Sequence, residues 1–248
     1  MNRFYVDKTC VIGDKAVIHD AQDIRHLVKA LRAGLKEKMF ITDGEGQAYE
    51  SEIESISKNK ILLRILKVIK KIRRDEQKVR FSIACAIPKF AKFEDIVDKG
   101  TQLGADEIIP LLTERTLVEK DLFIKKEERL KKVMISAAKQ SGVLFLPFLR
   151  GPVSYRDFIT NAASYDLKLV PNLSKAGLNL KGAVSNFKGG RIAVMIGPEG
   201  DFTKQEISLA ESRGFQGVCL GDAVLRVDTA AIAVLSFLRL FFEGPKGS

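Results

Sequence analysis

Histidine and cysteine are scarce in this chain. Two His stand at positions 19 and 26, and three Cys at 10, 85 and 219. There is no CxxC, no HxxxH and no Cys/His cluster, which argues against structural zinc, against a disulfide framework and against any metal site. Long apolar runs are missing too. The longest runs from Thr229 to Leu238 and stops at Arg239, well short of the roughly 18 residues a membrane span needs. The opening segment, Asn2-Arg3-Phe4-Tyr5-Val6-Asp7-Lys8, has no apolar secretory core, so a cytoplasmic protein is expected. Three catalytic signatures are absent. Without GxxxxGK[ST] a P-loop nucleotidase is disfavoured, and without GxGxxG a standard dinucleotide fold. Without GxSxG, and with both His near the N-terminus, so is a hydrolase triad.

What is present is ordinary globular material, 46% hydrophobic and 29% charged over 248 residues. That length suits one large domain or two modest ones. The 41 basic and 31 acidic side chains leave a net charge of +10. Residues 1–75 hold 16 of the basic and 11 of the acidic groups, net +5, so the first third is about twice as basic per residue as the rest. A basic protein attracts polyanions, of which nucleic acid is the commonest in cytoplasm. Arg25, Lys29, Arg32, Lys36 and Lys38 cluster along and just beyond one candidate helix and are the candidate RNA contacts.

The first seventy residues pattern as mostly β. Short strands are expected at 4–6 and 16–18, a helix at 21–31 capped by Asp20, and a hairpin from Lys38 to Ile53 around Asp43-Gly44-Glu45-Gly46. A strand at 61–69 completes what looks like a small barrel with one inserted helix. The charged run 70–76 reads as a linker or as a solvated strand end. From Val79 the pattern changes. Strands at 79–87, 107–112, 166–170, 191–196 and 216–220 alternate with helices from 90, at 123–140, near 155–162, at 204–213 and at 229–242. Alternation of this kind implies a parallel sheet, with ligands bound beyond the carboxyl ends of its strands.

Two strand-to-loop junctions carry the chemistry. After Ile192–Ile196 comes Gly197-Pro198-Glu199-Gly200-Asp201-Phe202, a tight turn where backbone can approach a ligand. Thr203-Lys204-Gln205-Glu206 follows as a capping box, with Phe202 and Ile207 at the staple positions. After Val218-Cys219-Leu220 comes Gly221-Asp222-Ala223-Val224-Leu225-Arg226-Val227-Asp228, leading into the long apolar helix. Arg226, a charge between Leu225 and Val227, needs a partner or a task. Pairing with Asp228 would be the plain structural answer, and Asp228 suits the N-cap of the last helix.

These residues resemble the SPOUT class of methyltransferases, and more narrowly the RsmE-type family, which methylates N3 of a uridine in small-subunit ribosomal RNA. The resemblance rests on Gly197-Pro198-Glu199-Gly200 and on Leu220-Gly221, Val224-Leu225-Arg226 and Asp228-Thr229-Ala230. It extends over nearly the whole chain through His26-Leu27, Leu31-Arg32, Lys99, Gln102-Leu103-Gly104, Ile109-Pro110, Thr113-Glu114-Arg115, Ala138, Gln140-Ser141 and Pro147. Several positions depart from the family pattern. Asp228 stands where Glu is usual, Asp201 where Gly is, and Gln102 and Ser136 each replace a usual residue. Val143-Leu144 lie near an expected Arg, and Asn172 where an acidic residue is common.

The resemblance implies an α/β protein with two parts, a PUA-like β-barrel at 1–72 that binds RNA and a parallel α/β SPOUT domain at 73–248 with a deep trefoil knot. It implies S-adenosylmethionine as cofactor, a homodimer, and small-subunit ribosomal RNA or the assembled subunit as partner. On that basis Ile196, Gly197, Glu199, Gly200, Leu220, Gly221 and Leu225 are expected around the cofactor. Arg226, Asp228 and Glu199 are the candidate catalytic groups. Glu199 could equally only orient its turn, and Asp228 only cap its helix. A non-enzymatic dimeric RNA-binding protein built on the basic barrel is the alternative.

Overall fold

The structure is a computed structural model and describes residues 3–88, 90–116, 120–171 and 178–242. Asn172 therefore lies outside the described residues. The chain divides into two compact units, residues 1–77 with 135–146, and 78–134 with 147–248.

The first unit is built on a six-stranded sheet. Its strands are β1 (Arg3–Tyr5), β2 (Val11–Ile12), β3 (Lys15–Ile18), β4 (Lys38–Thr42), β5 (Gln47–Ile56) and β6 (Ile61–Lys71). They lie in the order β1-β4-β5-β6-β3-β2, with β1 parallel to β4 and the other pairs antiparallel. Alternate residues Met39 and Ile41, Ile53, Ile61 and Leu63 face a core that also takes Phe4, Ile18 and Leu27. Asp43 organises the hairpin turn by accepting from the N–H groups of Glu45 and Gln47 and from the Tyr49 hydroxyl. Lys70 and Lys71 still belong to β6, so the charged run begins as a strand end.

The helix between β3 and β4 differs from expectation. Helix α1 (Ala21–Arg25), capped by Asp20, widens at once into a π-turn over His26–Ala30. Within the same unit Lys139 donates to both oxygens of buried Asp23, at 2.7 and 2.8 Å.

The second unit is a sheet in which every pairing is parallel. Its elements begin with β7 (Val79–Ala86), α2 (Phe90–Gln102), β8 (Glu107–Leu112) and α3 (Lys120–Ser141), whose residues from Ile135 onward belong to the first unit. The short strands β9 (Phe148–Leu149) and β10 (Val153–Ser154) follow, then α4 (Tyr155–Thr160), β11 (Leu167–Pro171), β12 (Leu178–Asn179) and α5 (Leu180–Val184). The chain continues through β13 (Gly190–Ile196), α6 (Lys204–Ser212) and β14 (Gln216–Cys219) to α7 (Val227–Phe242).

The strand order is β10-β8-β7-β13-β11-β14-β12, with β9 beside β8. Phe81–Ala86 and Ile192–Ile196 are buried throughout. Strands covered on both faces have no solvent side to alternate toward, which accounts for their unbroken apolar runs. Helix α7 buries Val227, Ala230, Ala231, Val234, Leu235 and Leu238 at helical spacing and packs against α2 and β7.

One charge is buried at the amino-terminal edge of this sheet. Glu107 accepts from Arg150 (2.6 Å), Ser82 (2.8 Å), Tyr165 (2.8 Å) and Arg191 (2.9 Å). Burial raises its pKa, but hydrogen bonds from Arg150, Ser82 and Tyr165 and the Arg150 charge outweigh that and hold it below the usual carboxylate value. This polar cluster lies at the opposite end of the strands from the loops described next.

Candidate functional site

Strand β13 leaves the sheet between β7 and β11, and β14 leaves it on the other side of β11. The loops that follow these two strands therefore converge beyond the same carboxyl ends, where α/β sheets bind ligands. One cavity opens there. Pro171 at the end of β11 forms one side. Ile196, Gly197, Pro198, Glu199 and Asp201 come from the first loop. Leu220, Gly221 and the run Ala223–Arg226 come from the second. Val227 and Ala230 of α7 complete the wall.

Of the expected cofactor residues, Ile196, Gly197, Glu199, Leu220, Gly221 and Leu225 meet in this cavity, while Gly200 does not line it. Gly200 faces away, and its carbonyl oxygen accepts from Arg115. Arg226 and Glu199 are on the wall, and Asp228 is not. Pro171, Val227 and Ala230 were not expected. For Pro171 the available signal was its place at the end of a third parallel strand.

The first loop is stiff for identifiable reasons. Asp201 N–H donates to the Pro198 carbonyl at 2.9 Å, closing a turn around Glu199 and Gly200. Thr203 Oγ1 accepts from Glu206 N–H, and Glu206 Oε2 accepts from Thr203 N–H, so the expected capping box exists. A Cβ on Gly197 would stand 3.0 Å from Asp201 Oδ1 and 3.1 Å from the Phe202 ring, so a side chain there fits only if these neighbours give by a few tenths of an ångström. In the second loop Gly221 has φ +120° with open space around it. The backbone there needs glycine for its dihedral rather than for clearance.

The charged groups are arranged differently from expectation. The Arg226 carbonyl accepts from Ala230 N–H at 2.8 Å, so Arg226 occupies the N-cap position and α7 begins at Val227. Asp228 is therefore not the cap but the second residue of the first turn. There the helix dipole favours its negative charge, and its Oδ1 is buried with no hydrogen-bond partner among the described residues. Glu199 has a cation beside it, Lys92 Nζ of α2 at 3.5 Å.

This cavity fits an amphipathic ligand of the S-adenosylmethionine kind. Its wall is largely apolar, with Ile196, Leu220, Leu225 and Val227, the glycines Gly197 and Gly221, and charge from Glu199, Asp201 and Arg226. Among the described residues no group of three or more His, Cys, Asp or Glu is placed to hold a metal ion.

In the first unit, Arg25, Lys29, Arg32, Lys36 and Lys38 are all exposed. Lys38 is paired with Glu50 at 3.1 Å, and the other four make no ion pair among the described residues. Arg32 and Lys36 have φ +52° and +64°.

Comparison with known proteins accords with this geometry. A family model for an RNA methyltransferase domain matches residues 75–239, and one for the PUA domain of RNA methyltransferases matches 20–66. The ribosomal RNA small subunit methyltransferase E of Synechocystis is 30% identical over 89% of this chain and 71% of its own length. The protein of that name from Bacillus subtilis is 28% identical over 100% of this chain and 99% of its own. The crystal structure of ribosomal RNA small subunit methyltransferase E from Neisseria gonorrhoeae, bound to S-adenosyl methionine, superposes with a TM-score of 0.83. It is 27% identical and covers 98% of each chain.

Proposed function

The chain belongs to the family of ribosomal RNA small subunit methyltransferases E, and we propose that it methylates N3 of a uridine in small-subunit ribosomal RNA. It is an RNA methyltransferase that uses S-adenosylmethionine. The observation that carries the finer reading is the cavity beyond β13 and β14, with Arg226 on its wall free of any ion pair among the described residues.

The bound cofactor supplies an electrophilic methyl group. The protein's own residues do the rest. The Gly197 and Gly221 loops present backbone, and Ile196, Leu220 and Leu225 present apolar surface, so the cofactor is held in one orientation. Uridine N3 must lose its proton, and the charge left behind spreads onto the flanking uracil oxygens. Arg226 is the cation available to meet that charge. Two carboxylates are the candidate proton acceptors in this reading: Glu199, on the cavity wall with Lys92 beside it, and Asp228, which stands off the wall with its buried oxygen lacking a donor among the described residues. N3 lies on the pairing edge, so the base must be unpaired and splayed out to react.

We assign RNA capture to residues 1–72, through Arg25, Lys29, Arg32, Lys36 and Lys38, and methyl transfer to residues 73–248. A homodimer accords with the exposed apolar end of α7. There Leu240 is 77% exposed, and Phe241, stacked on Phe237 at 5.6 Å, keeps 38% of its surface exposed. Among the described residues no helix is long and apolar enough to cross a membrane. A cytoplasmic enzyme acting on the ribosome accords with that.

The test is to incubate the protein and S-adenosylmethionine with small subunits and with naked small-subunit RNA, then extend primers by reverse transcription. N3 methylation blocks the pairing edge and is expected to give one strong stop at a uridine. Methylation detected by isotope transfer without any stop would place the methyl group away from the pairing edge and overturn the N3 assignment.

A further inference from the structure

Arg115 lies in the loop after β8 and takes no part in the cavity wall, yet its guanidinium reaches the back of the first loop. Nη1 donates to the Gly200 carbonyl and stands 3.4 Å from the Asp201 carbonyl. These are two successive acceptors of the turn whose other side carries Gly197 and Glu199 into the cavity.

The loop that holds Arg115 is itself braced. Thr116 Oγ1 accepts from Thr113 N–H at 2.9 Å and shares a hydrogen bond with Thr113 Oγ1 at 2.9 Å, while Thr116 N–H donates to Thr113 O at 3.1 Å. Glu114 N–H donates to Glu206 Oε1 at 3.0 Å, the same carboxylate that caps α6. Residues 113–116 are thereby fastened to the start of α6, and Arg115 reaches from that support to the turn. The turn needs holding. Asp201 sits at φ +60°, a left-handed conformation that a non-glycine residue adopts at a cost. Its own Oδ1 accepts from Phe202 N–H at 2.7 Å. Arg115 grips the carbonyl on either side of the Gly200–Asp201 peptide's strained residue.

We propose that Arg115 is a positioning residue of the methyl-transfer site, holding the Pro198–Asp201 turn so that Gly197 and Glu199 stay in the arrangement that receives the cofactor. This rests on the reading of the cavity as the cofactor site. Arg115 acts through the turn and is not placed against the reacting atoms.

Calorimetric titration of S-adenosylmethionine into the full-length protein tests it, with Arg115→Ala, Arg115→Lys, Gly221→Val and Arg129→Ala compared with the parent. Arg129, itself exposed and remote from the turn in sequence, pairs with Glu94 and serves as the charge control. Arg115→Ala is expected to weaken cofactor binding about tenfold, the loss of one to two hydrogen bonds to charge. Arg115→Lys should recover part of that affinity, and kcat at saturating cofactor and KM for RNA should stay near the parent values. Parent-like cofactor affinity in Arg115→Ala, with a raised KM for RNA, would overturn the proposal and make Arg115 an RNA contact. An equal loss in Arg129→Ala would overturn it in favour of a net-charge effect. If Gly221→Val also binds as the parent does, the cavity reading itself has failed; if Gly221→Val loses binding and Arg115→Ala does not, only the clamp has.

Discussion

Arg226 and Asp228 stand two residues apart where α7 begins, and no ion pair joins them. The first turn of a helix separates neighbouring side chains by about 100° per residue, so residues at i and i+2 do not face each other. Arg226 lines the cavity, and Asp228 keeps one oxygen buried and unpaired among the described residues. The expectation that they would satisfy one another is thus replaced by two groups each awaiting a partner.

For Arg226 the consequence is a split between binding and turnover. Arg226→Ala is expected to lower kcat for methyl transfer about 100- to 1,000-fold, as loss of one anion-stabilising donor does elsewhere. Cofactor affinity should hold within about threefold, because the wall that holds the cofactor is aliphatic and backbone. Single-turnover rates and calorimetry measure the two separately. Parallel losses in both would mark Arg226 as a loop-ordering residue.

Asp228 can be tested without the stability penalty that a cap would carry. Because Arg226 holds the N-cap position, Asp228→Asn and Asp228→Ala should each change stability by less than about 1 kcal/mol, the dipole contribution of a first-turn carboxylate. Both should lose most methyl transfer, and Asp228→Glu should regain a substantial part. Urea midpoints and initial rates decide this. A fully active Asp228→Asn would move the proton acceptor to Glu199.

The local signals in the sequence reached far. The Thr203/Glu206 capping box, the unbroken runs of β7 and β13 and the spacing of α2 are short-range patterns, and each appears at or within a residue or two of its expected place. The start of α7 was misplaced because Asp228 looks like a cap. Burial of Val227 on the same face as Ala230 and Ala231 extends the helix past it. The π-turn at His26–Ala30 has no residue-type signature. Leu31 N–H reaches back five residues to His26 O at 3.0 Å, and Leu27 inside that turn packs into the core. Arg115 on Gly200 spans 85 residues, and Lys139 on Asp23 spans 116. No periodicity encodes such contacts.

RNA affinity should depend on salt in proportion to the free basic groups of the first unit. Each phosphate contact on single-stranded RNA contributes about −0.7 to the slope of log affinity against log salt. Arg25, Lys29 and Arg32 are exposed and make no ion pair among the described residues, so neutralising all three should flatten the slope by about 2. Lys38→Gln should do less, since Lys38 is already shared with Glu50. Filter binding at several salt concentrations would show it, and an unchanged slope in the triple variant would remove this surface from the RNA interface.

Glu107 gives the second unit an acid-sensitive anchor. Its folded pKa lies below the ordinary value, so the stability it contributes is present above about pH 5 and is lost as pH falls through the folded pKa. Glu107→Gln leaves Arg191 without its carboxylate and should cost about 3 kcal/mol at pH 7. The gap between variant and parent should narrow toward pH 3, where the parent's own carboxylate is protonated. Urea midpoints at pH 7, 5 and 3 measure it, and a gap that does not change with pH would mean packing, not charge, sets the loss.

The two glycines of the cavity should fail for different reasons. Gly221 has open space around it, so Gly221→Ala clashes with nothing and acts only through its dihedral of +120°. Gly221→Val adds a branched side chain at the cavity wall. Gly197 is not in the left-handed region but is tightly packed, since a Cβ would press on Asp201 Oδ1 and the Phe202 ring. Gly197→Ala should therefore displace the turn that Asp201 and Phe202 anchor, lowering both cofactor affinity and the thermal midpoint. Gly221→Val should abolish cofactor binding, and Gly221→Ala should weaken it less. Holding a non-glycine residue at this dihedral costs roughly 1–3 kcal/mol, less than the roughly 5–15 kcal/mol that a folded domain commands, so the fold should survive both changes. Calorimetry and thermal melts on the same samples separate the two cases. Full cofactor affinity in both Gly197→Ala and Gly221→Val would place the cofactor somewhere other than this cavity.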